Sequence, residues 1–364
     1  MSEGRHRFTA LDGLRGVAAL VVVVWHAGAT RLIPGGYLAV DLFFVLSGFV
    51  LSYAFEGREG WGRFMFARLK RLYPLYIAGI ALGATTILLR VAVDGRYWTT
   101  LGAAAFMAPT PATWGSVYRP YPFDNPAWSL FFELLVNAVW FAVTPRLSTR
   151  ALVVVIGLSG VGVAATIFLK GSIAVGDAGA DFLWLGFLRA TFSFFVGVAC
   201  FRLWRYRPAS IKPPIWMLAA AFLVPVAAPL PRVMVDAVAV FAIFPAIIYF
   251  GAGVAPRGWL AKACDESGRA SYAVYTIHAP LVAAASFALW RLAPNLPHAD
   301  YLLAAGAVPL MLLIGVAADQ FYDGPVRRRL SQPAFQPLKR RRSETGSKME
   351  PPVAVTSDGA DETV

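Results

Sequence analysis

The sequence contains few charged residues, few cysteines and few histidines for its length. Asp, Glu, Lys and Arg account for 15% of the 364 residues, whereas a soluble domain carries about 25%. The two cysteines, Cys200 and Cys264, fall in a predicted helix and a predicted loop, so they indicate no disulfide framework. The four histidines include no pair with the spacing of metal ligands. These shortages argue against a soluble domain, a disulfide scaffold and a metal site.

Motifs that would identify other classes of protein are also missing. The sequence has neither a Gly-rich phosphate loop nor the Gly-x-Ser-x-Gly turn of hydrolases. It also has no internal repeat, whereas repeats and paired broken helices are typical of secondary transporters. Any chemistry must therefore come from residues outside these motifs.

Apolar residues, in contrast, are abundant. They make up 58% of the chain, and apolar runs near 20 residues recur along its length. Runs of this length can cross a bilayer as α-helices. We predict an all-α, polytopic membrane helix bundle of about ten transmembrane helices. The predicted ranges are 11–29, 37–55, 73–93, 128–144, 151–169, 182–203, 214–229, 234–251, 271–290 and 301–322.

Positive charge is unevenly distributed between these ranges. In a soluble chain a net charge of +12 would suggest nucleic acid, but in a membrane protein Lys and Arg gather in cytoplasmic loops. Alternate segments hold about 24 and about seven of the 33 Lys and Arg residues, and Arg15 and Arg189 lie within helices. We therefore predict both termini in the cytoplasm and a location in the cell (inner) membrane. The expected partners include membrane lipids and exclude nucleic acid.

The same distribution suggests how the chain is divided. We assign residues 1–325 to an integral-membrane domain and 326–364 to a basic, then polar, disordered cytoplasmic tail. One cytoplasmic segment, 57–72, is predicted as a loop. Its basic residues are Arg58, Arg63, Arg68, Lys70 and Arg71.

The first apolar range carries two ionisable residues, Arg15 and His26. Ionisable side chains are costly in hydrocarbon, so such a pair indicates a functional site. Eleven residues of α-helix turn through about 1100° and rise roughly 16 Å, which places both side chains on one face. We predict a polar stripe that runs from the inner to the outer end of this helix.

A cleaved signal peptide is the alternative interpretation of this range. Arg5 and Arg7 would form its charged start, Val17–Val24 its apolar run and Ala27–Ala29 its cleavage site. Asp12 argues against it, because signal peptides rarely carry an acid beside the apolar run.

Two carboxylates are predicted at a depth similar to that of His26. Ser129 and Glu133 are separated by four residues and share a helix face, and Asp41 lies one turn inside the second range. A carboxylate that orients an imidazole is suited to general base catalysis on a hydroxyl. We predict His26, Glu133 and Asp41 as catalytic residues. A buried ion pair that only joins helices is the alternative.

The inner half of the bundle is predicted to be basic. Arg68 and Arg71 stand at the cytoplasmic mouth, with Arg15 just inside it, and Tyr275 and His278 are neighbours in the inner half of the ninth helix. Arginine suits bidentate phosphate recognition. We predict that these five residues bind a phosphorylated ligand, although Arg68 and Arg71 alone are also explained by membrane topology.

The longest outer segment, 94–127, is rich in proline and aromatic residues and ends in Asp124-Asn125-Pro126. A loop of this length is usually functional or disordered. Its aromatic residues are equally consistent with a belt at the membrane interface.

Taken together, the motifs resemble those of the membrane acyltransferase-3 family, and they occur in the family's order over about residues 8–322. They are Arg15 with His26, DLFFVLSG from Asp41 to Gly48, RLKRLYP from Arg68 to Pro74, Trp128-Ser-Leu with Glu133, and Ser271-Tyr272 with Tyr275 and His278.

The resemblance implies transfer of an acyl group from a donor, typically acetyl-CoA on the cytoplasmic side, to an acceptor hydroxyl. The family's essential Arg and His map onto Arg15 and His26. Some members carry an additional extracytoplasmic esterase-like domain, whereas here only a short tail follows the last predicted helix. We therefore expect direct acylation of the acceptor rather than transfer to a separate partner.

The resulting prediction is an integral-membrane O-acyltransferase that acetylates a glycan or lipid-linked sugar. Acyl-CoA would be a co-substrate docked at Arg68 and Arg71, with no tightly bound cofactor and no metal. Its pantetheine arm would pass Arg15 and bring the thioester to His26. Acylation of a small-molecule secondary metabolite and secondary transport of an organic anion are the alternatives.

Overall fold

A computed structural model describes residues 7–57, 60–90 and 93–332. Arg5, Arg58 and the predicted tail from residue 333 onward lie outside the described residues. Within the described part of the chain all regular secondary structure is helical, and nine helices are long and apolar enough to cross a membrane. The predicted all-α membrane bundle is confirmed.

Thirteen α-helices build the described fold. They are α1 Thr9–His26, α2 Ala39–Phe55, α3 Trp61–Leu88, α4 Gly95–Ala105, α5 Ala127–Val143, α6 Thr149–Lys170, α7 Phe182–Tyr206, α8 Ile215–Ala227, α9 Arg232–Val238, α10 Phe244–Gly251, α11 Gly258–Leu292, α12 Ala299–Ala318 and α13 Gly324–Arg329. Short π-helical segments join α9 to α10 and α12 to α13, so each pair forms one candidate span. The two ends of α1 define an Arg15 side and a His26 side of the bundle.

Helix α8 corresponds to the short seventh predicted range. Its 13 residues measure about 20 Å, less than the hydrocarbon thickness. On the Arg15 side Leu218 lies beside Gly251 near Leu11, and on the His26 side the Val226 carbonyl accepts from the Gly35 amide at 2.8 Å. The helix therefore runs between the two sides like its longer neighbours, as a tenth crossing would.

Two helices begin earlier than the apolar runs predicted. Helix α3 starts at Trp61 rather than at residue 73, so the predicted basic loop is largely helical, and α11 starts at Gly258 rather than at residue 271. Hydropathy shows where the apolar, membrane-buried part of a helix ends. It does not show where the helix itself ends, because Lys and Arg are good helix formers and can continue the helix beyond the apolar part. Because α3 begins at Trp61, Arg68 and Arg71 lie on a rigid helix rather than in a loop.

Close helix contacts at glycines hold the site-bearing helices. Helix α1 packs along α11, and α2 packs along α7. A Cβ atom added to Gly48 would lie 2.0 Å from the Phe194 carbonyl oxygen, and one added to Gly197 would lie 2.0 Å from that of Val45. Gly48 and Gly197 therefore allow the backbones of α2 and α7 to approach closely.

The long segment on the His26 side is folded. It contains α4 and a loop in which Tyr121 donates to the Met107 carbonyl and Trp114 donates to Thr100. Tyr121 and Phe123 are buried. This loop delivers Asp124 and Asn125 to the start of α5.

Candidate active site

Three cavities follow one another through the bundle. The basic mouth is lined by Arg15, Arg71, Arg269, Asp319, Gln320, Gly324, Arg327 and Arg328. The central cavity shares Arg15 and Arg71 with the basic mouth. The His26 cavity shares Val40 and Tyr275 with the central cavity. Because neighbouring cavities share side chains, they form one row from the Arg15 side to the His26 side.

Arginines dominate the basic mouth. Arg71 Nη1 lies 3.4 Å from Asp323 Oδ2, and its guanidinium group covers the Tyr272 ring at 5.1 Å. Arg327, assigned to the tail from sequence, pairs with Asp323 at 2.8 Å and with Asp319 at 3.1 Å. Five arginines surround a single lining acid, Asp319, which leaves positive charge for an anionic ligand.

Arg15 lies where the basic mouth meets the central cavity. Its Nη2 donates to Asp12 Oδ1 at 2.7 Å and to the Gly268 carbonyl at 2.9 Å, and its Nε donates to Ser271 Oγ at 3.1 Å. These bonds fix the guanidinium group between α1 and α11. Arg15 and His26 lie toward opposite ends of α1, and the inner, cytoplasmic position of the Arg15 end stays a prediction.

The central cavity has an apolar wall and a polar cluster. Arg68 Nη2 donates to Glu133 Oε1 at 2.6 Å, and Ser47 Oγ donates to the same oxygen at 2.9 Å. The apolar lining comes from Val40, Phe43, Phe44, Leu46, Val50, Leu51, Leu72 and Leu130. The cavity has an empty volume of about 780 Å³, open solvent included. Such a chamber suits a long chain that carries few charges.

The expected contact of Glu133 with His26 is not formed within the described part of the chain. Glu133 lies six residues into α5 and pairs with Arg68, which α3 brings in from the opposite side. The earlier start of α3 explains this correction, because a helical Arg68 reaches inward. Glu133 therefore faces the central cavity rather than orienting the imidazole.

Asp41 is likewise held by an arginine. Arg189 on α7 donates to Asp41 from Nη2 at 2.6 Å and from Nε at 2.9 Å, and both side chains are at most 2% exposed. Arg189 Nη2 also donates to the Tyr37 carbonyl. The expected convergence of Asp41 on His26 is corrected to a buried ion pair between α2 and α7, which matches the structural alternative.

The observed partner of His26 is a second histidine. His26 Nδ1 lies 3.2 Å from His278 Nε2 and 2.9 Å from the Val22 carbonyl oxygen. His278 Nδ1 lies 2.8 Å from the Tyr275 carbonyl oxygen and 3.1 Å from that of Val274. His278 is fully buried, whereas His26 lines the cavity that bears its name.

These contacts assign the protons on both rings. Carbonyl oxygens only accept, so Nδ1 of each neutral ring carries the hydrogen. His278 Nε2 is then an acceptor for His26 Nδ1–H. His26 Nε2 keeps its lone pair and makes no hydrogen bond within the described residues. The arrangement leaves a base at the end of a short imidazole chain.

The structure moves His278 and Tyr275 away from the basic mouth. Because α11 begins at Gly258, these residues fall in its middle rather than in its inner half. His278 accompanies His26, and Tyr275 stands between the central and His26 cavities with its hydroxyl 2.6 Å from Ser129 Oγ. Their predicted placement at the phosphate end is therefore corrected, while Arg15 and Arg71 remain there and Arg68 lies just beyond, in the central cavity.

Sequence reasoning missed several polar residues of the His26 cavity. They include Asn125, Asp177 and Arg189. Asp177 interacts electrostatically with His26 across this cavity. Arg189 was placed within a predicted helix but was not assigned to the site, although an arginine inside a membrane helix indicates a functional site. Asp177 and Asn125 lie in loops, where no periodic pattern predicts which side chain faces the bundle.

A comparison with known protein families shows which family this sequence matches. The model of the acyltransferase-3 family, described as an acyltransferase domain, matches residues 8–318. The match covers α1 to α12 and all the site residues except those contributed by α13 and the segment before it. No solved structure matches the chain.

Three similar proteins are compared with the chain, and two of them have names that agree with the family. Protein 2 in the picA locus of Rhizobium radiobacter is 40% identical over an alignment of 179 residues, and the alignment covers 43% of this chain and 92% of that protein. A protein of Komagataeibacter xylinus provisionally named a membrane-bound transacylase is 31% identical over 147 residues, 38% of this chain and 37% of its own length. A Staphylococcus aureus (strain COL) protein provisionally named an O-acetyltransferase is 38% identical over 87 residues, 22% of this chain and 14% of its own length. The chain belongs to the acyltransferase-3 family and is an integral-membrane acyltransferase.

Proposed function

We propose that the protein transfers an acetyl or other short acyl group from acyl-CoA to a hydroxyl of a cell-surface polysaccharide or lipid-linked sugar. The row of cavities is the observation that carries this proposal. It joins an arginine-rich opening on one side of the bundle to a histidine base near the other. In this proposal the Arg15 side faces the cytoplasm and the protein resides in the cell (inner) membrane, as the distribution of Lys and Arg favours.

The donor would enter through the basic mouth. Its phosphates would meet Arg71 and Arg327, whose acidic partners leave the mouth positive overall. The pantetheine arm would then run through the apolar central cavity past Arg15 and Arg68. This path ends at Tyr275, which borders the cavity containing His26.

The reaction needs a base for the acceptor hydroxyl. His26 Nε2 would take the hydroxyl proton while the oxygen attacks the thioester carbonyl carbon. The carbon–sulfur bond breaks, an ester forms, and the proton passes to the departing CoA thiolate. The Val22 carbonyl and His278 Nε2 both accept from His26 Nδ1–H, which holds the ring in the required tautomer.

Purified protein in lipid nanodiscs provides the test. With labelled acetyl-CoA and a panel of glycan and lipid-linked sugar acceptors, we expect an alkali-labile labelled ester and equimolar free CoA. His26→Gln cannot take a proton through its side chain and should lower kcat by about 10²–10⁴-fold at normal protein levels. A transporter would leave every acceptor unmodified, and that result would refute the proposal.

The donor site has its own test. Arg71→Ala should raise the KM for acetyl-CoA with a smaller effect on kcat, because it contacts phosphates far from the reacting carbon. Arg96→Ala is the matched control, since Arg96 is an exposed arginine on the His26 side. Equal effects of the two changes would contradict entry through the basic mouth.

A further inference from the structure

The His26 cavity carries features that proton transfer alone does not require. Its empty volume is about 600 Å³, open solvent included, and its aromatic lining comes from Trp25, Tyr37 and Trp128. Its polar lining includes Asn125, Asp177 and Arg189. Aromatic rings with a few directed polar groups form the kind of site that fixes a small ligand in one orientation.

One polar atom in this lining lacks a partner. Asn125 Oδ1 is buried and accepts no hydrogen bond within the described part of the chain. Asn125 directly precedes Pro126, the residue before α5, so its backbone is held by the start of that helix. A buried amide oxygen without a partner is unfavourable, and a donor from a bound ligand would satisfy it.

Asp177 is held at the same cavity by its loop. Arg189 Nη1 donates to the Val175 carbonyl at 3.0 Å, and the Gly179 amide donates to the Tyr118 carbonyl at 2.9 Å. These bonds fasten the loop on both sides of Asp177. Among the described residues Asp177 forms no ion pair. The nearby Asp181, in contrast, pairs with Lys170, whose Nζ lies 3.0 Å from Asp181 Oδ2.

The charges around the cavity define the class of ligand. Arg189 is neutralised by Asp41, and the Tyr37 hydroxyl donates to Asp236. Arg189 also interacts electrostatically with Asp177, so Arg189, Asp41 and Asp177 together carry one net negative charge. Carboxylate and amide oxygens accept hydrogen bonds from hydroxyl groups, and a negative charge disfavours an anionic ligand.

We propose that the His26 cavity is the acceptor site and selects an uncharged sugar ring, whose hydroxyls donate to Asn125 Oδ1 and the Asp177 carboxylate. The ring would pack on Trp25, which is only half-buried, and present one hydroxyl to His26 Nε2. This inference rests on the proposed function, because it assigns the acceptor of the same reaction. It adds that sugars bearing a carboxylate are excluded.

Binding without acyl-CoA tests this site separately from catalysis. The probes are methyl β-glucopyranoside and methyl β-glucuronide, which differ only at carbon 6, and saturation-transfer NMR on nanodisc-embedded protein measures their affinity. We expect the neutral glycoside to bind at least fivefold more tightly than the uronide. Asn125→Ala should weaken neutral binding at least fivefold, and Asp177→Asn should reduce the discrimination to below twofold.

Asp181→Asn is the matched control, because Asp181 is a half-exposed carboxylate in the same loop region. It should leave both affinities unchanged. Absence of binding by the wild type, equal binding of the two glycosides, or unchanged affinities in both site variants would overturn the inference. Selective binding without ester formation would instead refute the proposed reaction and keep the binding site.

Discussion

At the scale of single residues, the proposed reaction makes His278 a positioning residue for the His26 imidazole. In His278→Leu the His26 Nδ1 hydrogen would lose its side-chain acceptor, so we expect kcat to fall about 10–100-fold with the KM for acetyl-CoA unchanged. His278→Gln offers a carbonyl oxygen in place of Nε2 and should recover part of the loss. Steady-state kinetics on purified variants measures both effects.

A structural role for His278 would produce a different pattern. Both substitutions would then lower protein abundance and thermal stability together with activity. Turnover per folded molecule would remain near the wild-type value, and the glutamine variant would show no specific recovery of kcat.

Asp124 illustrates how a buried carboxyl responds to pH. It is 2% exposed, and neither carboxyl oxygen has a hydrogen-bond partner within the described residues, so burial raises its pKa well above the usual range. Above about pH 4 the unfolded chain releases a proton that the folded protein keeps, so the free energy of unfolding falls as pH rises through the folded pKa. Asp124→Asn should therefore raise the melting temperature by a few degrees, with a difference that grows with pH.

Asp94 is the control, because its pKa is lowered rather than raised. Hydrogen bonds from Arg96 hold the pKa of Asp94 below its usual value, and its stabilisation is lost as pH falls through the folded pKa. Asp94→Asn should lower the melting temperature slightly at neutral pH and have no effect in acid. Thermal unfolding in detergent between about pH 2 and 8 measures both, because the folded pKa of Asp94 lies below its usual value of about 3.9. A difference for Asp124→Asn that does not depend on pH would contradict burial as its cause.

At the scale of helices, the contact between α2 and α7 depends on two glycines. Gly48→Ala would push a Cβ into the backbone at Phe194, which cannot yield as a side chain would. We expect a loss of stability of about 1–3 kcal/mol or more, seen as a lower melting temperature and lower abundance. Gly157→Ala on α6 meets nothing within 4 Å and should be harmless; equal stability of the two variants would contradict close packing.

The ion pair between these helices yields a second prediction. Asp41→Asn leaves the Arg189 guanidinium buried without a counter-charge, which should cost about 3–5 kcal/mol. We expect reduced abundance with largely retained turnover per folded molecule. Quantitative gel filtration with kinetics measures both, and a fully stable variant without turnover would restore the catalytic role predicted from sequence.

At the scale of the whole molecule, α8 decides the topology. Nine described spans would place the chain ends on opposite sides of the membrane, whereas a tenth crossing by α8 places them on the same side. We expect a reporter fused after Val364 to be cytoplasmic and one inserted in 111–117 to be external. Ile215→Asp with Leu218→Asp, which weakens the apolar character of α8, should invert only the reporters placed after it.

Hydropathy predicted this architecture because helices that cross a membrane appear in the sequence as apolar runs of about 20 residues. Helical spacing likewise placed Arg15 and His26 at opposite ends of one helix, where the structure has them. The pairing of Glu133 with Arg68 could not be predicted, since depth along each helix says nothing about its rotation or neighbours. The loop residues Asn125 and Asp177 carry no periodic signal at all.

The hydrogen bond between Tyr275 and Ser129 has a consequence for the cell. A row of cavities that joins the two sides of a membrane-spanning bundle is also a route for protons when water fills it, and a continuous file of water would dissipate the electrochemical gradient. The two hydroxyl groups, 2.6 Å apart, lie at the boundary between the central and His26 cavities. In the proposed reaction, keeping the two hydroxyl groups together between turnovers would interrupt this proton route while the acyl donor occupies one side of the membrane and the acceptor the other.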